Sequence, residues 1–172
     1  MNENRSPAAL AATANEPAIG KIALEEHFSI RELLPTPEEL EFFDPRLLAE
    51  IEPLLPELAE KRLANMNKAG IEIAVLSQTA PGVQAIADSS EASAMARVAN
   101  DRLHVAIQQE PRRFRGFAAL NLLDIDSACE ELKRCVNELG FVGALVNGST
   151  QGEYLDNPRV DQLWLTLEQL DV

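Results

Sequence analysis

Glu25 and His27 are the residues of this chain whose types and spacing carry the clearest chemical signal. They flank Glu26, directly after a short apolar run at residues 21–24. Side chains two positions apart on a β-strand point to the same face, so a strand here would bring Glu25 and His27 together and turn Glu26 away. A carboxylate oxygen beside an imidazole nitrogen forms half of a divalent-metal site. Taken alone, the triplet is more typical of a loop glutamate beside a partly exposed histidine. The surrounding strands and helices must therefore decide whether it forms a metal site.

Polar or small residues also follow the later apolar runs. Ser77 and Ala80 end the second run and could line a pocket, although residues in such a place more often only close a strand. Asn147 ends the fourth run, where its amide could contact a substrate or, equally, stabilise a turn with the following glycine. His104 falls inside a helical pattern and is expected to be an ordinary helix residue. Trp164 falls on an apolar helical stripe and is expected in the core.

Short apolar runs alternate with helical patterns along the chain. The four runs lie at residues 21–24, 71–76, 114–120 and 141–146. They are short and often β-branched, which favours strands buried on both faces. Each run leads toward a stretch with helical spacing of its apolar residues, and the predicted helices cover residues 57–69, 88–110, 126–139 and 157–170. Five prolines between residues 29 and 56 predict a loop with short helical turns.

Capping signals predict where these helices begin. Asp88 has capping-box spacing with Glu91, Asp126 is the expected cap of the next helix, and Asn157 followed by Pro158 opens the last one. The resulting order, strand then helix four times over, predicts an α/β fold with a parallel sheet. No GxGxxG follows the first strand, which removes the main signal of a dinucleotide-binding sheet. The pattern leaves two architectures open, a small open sheet or half of a (β/α)8 barrel.

Composition limits the partners. The formal net charge is −13, and such an acidic surface repels phosphate backbones and anionic lipids, so neither nucleic acid nor a membrane is expected as a partner. No apolar run approaches the roughly 20 residues of a membrane span, and the first twenty residues lack the apolar region of a secretory signal. Cys129 and Cys135 are expected to be reduced. These features predict a cytoplasmic protein, with residues 1–19 as a flexible extension and residues 20–172 as the folded part.

Several segments resemble the 2,6- and 2,3-dihydroxybenzoate decarboxylases, which are metal-dependent members of the amidohydrolase superfamily. The resemblance rests first on GKIALEEHFSI at residues 20–30 and FVGALVNG at 141–148. It continues through AGIEIAVLSQTAPGVQAI at 69–86 and ARVANDRL at 96–103, and covers essentially everything from residue 20 onward. It implies a (β/α)8 TIM barrel of the metal-dependent hydrolase type, present here as roughly the first four β-α units.

The resemblance also implies a function. In that family the glutamate and histidine of the opening motif bind one zinc or manganese ion, which carries over to Glu25 and His27. The remaining ligands and the catalytic acid belong to later strands, so no catalytic residue is expected within this chain. The implied parent activity is the non-oxidative decarboxylation of a hydroxylated aromatic carboxylic acid, and the implied partner is a small-molecule aromatic carboxylate.

Two other functions stay open from the sequence. One is a hydrolase of the same superfamily acting on a lactone or an amide, because these four units are compatible with either chemistry. The other is a non-catalytic, truncated half-barrel. In a half-barrel the first and fourth strands have no neighbour on one side, which predicts self-association into a homo-oligomer.

Overall fold

The computed structural model describes residues 20–34 and 44–172. The predicted flexible extension, residues 1–19, lies outside this part of the chain. Three strands form one parallel sheet, and they are β1 (Lys21–Phe28), β2 (Ile71–Gln78) and β3 (Phe114–Gly116). Five helices accompany them: α1 (Pro45–Ile51), α2 (Glu60–Ala69), α3 (Ser89–Gln109), α4 (Ile125–Asn137) and α5 (Asp161–Leu170). Within these ranges no helix combines the length and apolar character that crossing a membrane requires.

Residues 141–146 continue the sheet as a fourth extended segment beside β3. Val142 donates its N–H to the carbonyl of Gly116 (3.0 Å), and Ala118 N–H donates to Gly143 (2.8 Å). Ala118 and Ala144 form a parallel bridge. The ladder is irregular here, where Gly143 has φ +154°, a value that residues other than glycine rarely adopt. The predicted arrangement of four parallel neighbours is therefore confirmed, although only three of them are regular strands.

The strand order decides between the two architectures left open by the sequence. The strands lie in the order β1-β2-β3, and the segment at 141–146 comes next. A doubly wound open sheet reverses its strand order at a switch point, whereas a barrel adds each strand beside the previous one. The described sheet shows the sequential order of a barrel. A short antiparallel hairpin of β4 (Ser149–Thr150) and β5 (Glu153–Tyr154), which the sequence did not predict, follows the fourth segment.

The core lies around β2 and β3 and the helices that follow them. Leu76, Phe114, Leu103 and Leu132 are fully buried, as the apolar runs and helical stripes predict. The first strand differs, because Ile22 and Leu24 are 59% and 64% exposed. These two side chains belong to the strand that, within residues 20–34 and 44–172, has a neighbouring strand on only one side.

The helix starts agree with the sequence at Asp88, agree in part at Asn157 and differ at α4. Asp88 caps α3 and accepts a hydrogen bond from the N–H of Glu91 (2.8 Å). Asn157 accepts one from the N–H of Arg159 (3.0 Å), but it caps a short 3-10 turn, Pro158–Val160, that leads into α5 at Asp161. The cap of α4 is Asp124, whose carboxylate accepts from Ser127 N–H at 3.0 Å, so the prediction of Asp126 was wrong. The cap lies two residues earlier than predicted, and Asp126 lies in the first turn of α4, where the helix dipole still favours a carboxylate.

Trp164 is the second correction. Its side chain is 44% exposed, while Leu163 and Thr166 provide the buried face of α5. The indole N–H donates to the carbonyl of Leu155 (3.3 Å), so the ring lies along the surface of the helix with its polar group satisfied. The apolar stripe predicted a buried position for Trp164, but α5 turns Leu163 and Thr166 toward the core and leaves Trp164 at the surface.

A buried polar network joins α3, α4 and the end of the third strand. Asn100 pairs with both backbone groups of Ala119, accepting from its N–H (2.9 Å) and donating to its carbonyl (3.0 Å). The same amide donates to Glu131 (2.9 Å), which also binds Arg134 at 2.6 Å. Burial opposes ionisation of Glu131, but hydrogen bonds from Arg134 and Asn100 outweigh it and lower the pKa of the carboxyl group. The network therefore contains a charged carboxylate at neutral pH.

Candidate metal site and adjoining groove

Glu25 and His27 converge at the carboxyl end of β1. The Oε1 atom of Glu25 lies 3.9 Å from Nε2 of His27, and the two side chains are 79% and 35% exposed. Glu26 points elsewhere, because its carboxylate lies 3.9 Å from the guanidinium of Arg62 on α2. The alternation expected of a strand is thus present, and the open pair is Glu25 with His27. An exposed carboxylate oxygen and an imidazole nitrogen suit a divalent cation in their chemistry.

His27 is held from two directions. Its Nδ1 atom lies 3.1 Å from the hydroxyl of Ser77, the residue that faces it in the register of β1 and β2. Its backbone carbonyl accepts a hydrogen bond from Arg62 at 2.8 Å. Ser77 is fully buried and lies behind the imidazole, not on the open side. The residue predicted as a substrate contact therefore contacts the candidate metal ligand.

Arg62 is a residue that the sequence did not single out. Its side chain is 12% exposed, and besides His27 it donates to the carbonyl of Glu57 at 3.0 Å. Burial lowers the pKa of the guanidinium, while the nearby carboxylates of Glu26 and Glu57 act in the opposite direction. Because a buried arginine must satisfy several donors, Arg62 ties α2 to the end of β1. A lone arginine in a polar helix gives no sequence signal for this role.

A groove of about 880 Å³ adjoins this end of β1. Glu25, His27 and Ala80 all lie along it, so the structure brings three of the predicted site residues to one cavity. Its walls are mostly aliphatic side chains from α1, α2 and the turn between them, namely Leu47, Leu48, Ile51, Leu54, Leu55 and Met66. A cavity of this size with a few polar groups is typical of small-molecule sites.

Asn147 lies outside the lining of this groove. Its backbone N–H donates to the side chain of Gln84 (2.7 Å), and Gln84 returns a hydrogen bond to the Asn147 carbonyl (3.1 Å). Gln84 also donates to the hydroxyl of Thr150 at 2.7 Å. The side-chain amide thus acts like a neighbouring strand and fixes the end of the fourth segment. The sequence offers one signal for the role of Gln84, which is its position shortly after the second strand.

Glu25 and His27 are the two candidate metal ligands in the described part of the chain. Among residues 20–34 and 44–172, no group of three or more His, Cys, Asp or Glu side chains is arranged to hold a metal ion. His104 lies within α3, as predicted, and its Nδ1 atom contacts the carbonyl of Leu139 at 3.1 Å. Glu25 and His27 therefore fit a divalent ion in chemistry, and fall short of the four ligands of a typical zinc site.

Comparisons with known proteins agree with this arrangement. The sequence profile of the amidohydrolase family matches residues 37–172, and the chain belongs to that family. It is 46% identical over 162 residues to the gamma-resorcylate decarboxylase of Rhodococcus jostii (strain RHA1), a match that covers 89% of this chain and 49% of the relative. The relative from Polaromonas sp. (strain JS666 / ATCC BAA-500) is 45% identical over 159 residues, with coverage of 89% and 48%. The chain spans about half the length of the curated relatives it matches.

A solved structure extends the comparison. The dihydroxybenzoic acid decarboxylase from Polaromonas sp. JS666, with bound manganese and the inhibitor 2-nitroresorcinol, matches with a TM-score of 0.82 and 45% identity. The match covers 89% of this chain and 47% of that one. The fold is therefore that of part of an amidohydrolase-type barrel, as the resemblance implied. Manganese in this structure supports a divalent metal for the family.

Proposed function

We propose that this chain forms the metal-binding part of a carboxy-lyase whose whole protein removes carbon dioxide from a hydroxylated aromatic carboxylic acid without oxidation. The observation that carries the proposal is the convergence of Glu25 and His27 beside a largely apolar groove. The identity of about 45% to gamma-resorcylate decarboxylases supports the reaction class. On this proposal residues 20–172 are the N-terminal half of the barrel.

Glu25 and His27 are the proposed ligands of one divalent ion, zinc or manganese. Such an ion, when bound, supplies a Lewis acid and a template for a substrate carboxylate and an adjacent hydroxyl. The acidic carboxylate and the neutral imidazole are also the two ligand types that both metals accept. Neither residue is proposed to move a proton.

The aliphatic walls of the groove suit an aromatic ring, because they can remove its apolar surface from water. Ala80 is the proposed substrate contact that already lies along the groove. Asn147, predicted as a second contact, is fixed by Gln84 close to the same strand ends. Ser77 has no exposed surface in this structure, so its contribution to substrate binding is proposed to pass through His27.

The proposed reaction balances without a redox partner. The ring carbon that carries the carboxylate first takes one proton, and the ring hydroxyl groups stabilise the resulting non-aromatic species. The bond between that carbon and the carboxylate then breaks, its electron pair restores the aromatic ring, and carbon dioxide leaves. The proton is proposed to come from an acid of the whole protein other than Glu25 and His27.

The cellular setting and the assembly are also proposals. Cys129 and Cys135 are buried free thiols, which supports a reducing, cytoplasmic setting. The exposed apolar side chains of β1 support a homo-oligomer. The absence of a nucleic-acid or membrane partner remains a prediction from the net charge of −13.

A chimera tests the proposed reaction. Residues 20–172 replace the matching segment of the Rhodococcus jostii relative, and the purified protein is incubated with 2,6-dihydroxybenzoate in manganese or zinc. We expect release of carbon dioxide, and we expect Glu25→Gln and His27→Ala to lower kcat by at least about 100-fold. Glu138→Gln is the matched control, because Glu138 is an exposed carboxylate at the end of α4 and does not line the groove.

The same chimera separates the two alternatives. Acid release from lactones or amides, with no carbon dioxide from dihydroxybenzoates, would assign the hydrolase activity instead. A folded, metal-loaded chimera that is inert toward both substrate classes would identify this segment as a non-catalytic half-barrel. Circular dichroism and metal analysis of each preparation establish that the protein is folded and loaded.

A further inference from the structure

The contact between His27 and Ser77 leads beyond metal binding itself. The two residues face one another in the parallel register of β1 and β2, and Nδ1 of His27 lies 3.1 Å from the Ser77 hydroxyl. The hydroxyl belongs to a fully buried residue on the middle strand of the β1-β2-β3 sheet. The opposite side of the imidazole, with Nε2, faces Glu25 at 3.9 Å.

We propose that Ser77 is a positioning residue that fixes the orientation of the His27 ring, so that Nε2 is the nitrogen offered to the metal. This inference rests on the proposed metal site. A half-turn of the imidazole about its Cβ–Cγ bond exchanges Nδ1 with Cδ2 and Nε2 with Cε1. A ring turned in that way would present a carbon toward Glu25 and could not bind a cation beside it.

The proton on the ring follows from the same contact. A neutral imidazole that offers the Nε2 lone pair carries its hydrogen on Nδ1, and that N–H can donate to the oxygen of Ser77. Hydrogen bonds to the distal nitrogen of a histidine ligand commonly fix both its tautomer and its orientation. Because Ser77 is buried, water does not compete for the Nδ1 hydrogen.

The surrounding strands make this a rigid arrangement. Arg62 holds the carbonyl of His27 at 2.8 Å, and the N–H of Thr79 donates to the carbonyl of Phe28 at 2.8 Å. The two chains stay bonded just beyond the end of β1, since the side chain of Gln78 donates to the Ser29 hydroxyl at 3.0 Å. Ser29 is 2% exposed and does not contact the imidazole, so it offers a matched control for Ser77.

Nuclear magnetic resonance of the metal-free 172-residue chain provides the first test. The chain contains two histidines, so the ring signals of His27 and His104 are easily assigned. We expect the His27 ring to be ordered in the wild type and mobile in Ser77→Ala, with a ring order parameter that falls below about 0.6. Ser29→Ala should leave the ring ordered, and His104 serves as the internal reference. An ordered His27 ring in Ser77→Ala would overturn the inference.

A zinc titration followed at the His27 nitrogens provides the second test. We expect zinc to shift Nε2 in the wild type and the affinity at this nitrogen to fall by about 10-fold or more in Ser77→Ala. Equal affinities in the two proteins would refute the positioning role while the metal site stands. If zinc shifts neither nitrogen of the wild type, the proposed metal site fails, and the ring mobility alone then decides whether Ser77 orients His27.

Discussion

The carboxylate of Glu25 and the imidazole of His27 face one another across 3.9 Å, with Glu26 between them in sequence and turned toward Arg62. This separation is too long for a hydrogen bond, so the carboxylate oxygen of Glu25 and Nε2 of His27 are both available to bind a cation. A cation between a carboxylate oxygen and an imidazole nitrogen would contact each at about 2.0–2.2 Å. The spacing of the two side chains therefore allows one cation to contact both of them.

The first prediction concerns metal affinity. The 172-residue chain should bind manganese or zinc weakly, because the described residues offer two ligands and no cluster of three. Isothermal titration calorimetry should show His27→Ala and Glu25→Gln each weakening the binding by at least about 10-fold. Glu138→Gln, at an exposed position at the end of α4 that does not line the groove, should bind as the wild type does. Tight one-to-one binding that disappears in His27→Ala would reveal a further ligand.

The second prediction concerns Asn100. Its side chain is 1% exposed and satisfies both backbone groups of Ala119. Asn100→Ala would leave these buried groups without partners, so the free energy of unfolding should fall by about 2–4 kcal/mol. Urea unfolding measures the change. Asn65→Ala on the exposed surface of α2 is the control and should change the stability by less than about 0.5 kcal/mol.

The third prediction concerns acid stability. The pKa of Glu131 is lowered in the folded chain, so its ionised form stabilises the fold above the ordinary carboxyl pKa of 4.5. That stabilisation is lost as the pH falls through the lower folded pKa. Glu131→Gln cannot ionise, so it should lower stability at pH 7 by about 1–3 kcal/mol and flatten the decline below pH 4.5. Thermal unfolding at a series of pH values measures both effects, and a decline as steep as in the wild type would contradict the assignment.

Much of the fold could be predicted from local signals. Continuous apolar runs predict buried parallel strands. The run at 71–76 lies within β2, and the run at 114–120 contains β3. The caps at Asp88 and Asn157 follow from a side-chain oxygen placed just before a helical pattern. Asp126 was misjudged because Asp124 is an equally good cap residue two positions earlier, and spacing alone cannot rank the two aspartates.

The candidate site was less predictable. The alternation of a strand is enough to pair Glu25 with His27, since it depends on neighbouring residues only. The contacts of Ser77, Arg62 and Gln84 join residues 35 to 66 positions apart, and they depend on the register between strands and on helix packing. Trp164 illustrates the same limit, because the packing of α5 against α4 decides which helix face is buried, and Trp164 lies outside that face.

The fourth prediction uses Trp164, which is the one tryptophan in the sequence. Because its side chain is 44% exposed, its fluorescence should resemble that of indole in water and should be readily quenched by iodide or acrylamide. Unfolding in urea should shift the emission only slightly. A strongly blue-shifted emission at low protein concentration would contradict the exposed position of the ring.

The last prediction concerns assembly and starts from the open side of β1. Among the residues that the structure describes, this strand pairs with β2 alone, and Ile22 and Leu24 on it are 59% and 64% exposed. Unpaired strand edges with apolar side chains favour pairing with another chain. The fourth segment offers a second such edge, with Val142 42% exposed. Two copies could pair each β1 with the fourth segment of the other and so form an eight-stranded arrangement.

We therefore expect the purified 172-residue chain to self-associate, with a dimer of about twice 18.9 kDa as the smallest species in size-exclusion chromatography with light scattering. Ile22→Lys and Leu24→Lys should shift the chain toward the monomer, because a lysine on an edge strand must lose its hydration to be covered. Val105→Lys is the matched control, since Val105 is 53% exposed on α3, away from both strand edges. The acidic net charge of −13 opposes association, so raising the salt concentration should strengthen it. A wild-type chain that stays monomeric and unfolds cooperatively would show that the four units close their core alone, and would contradict the predicted self-association.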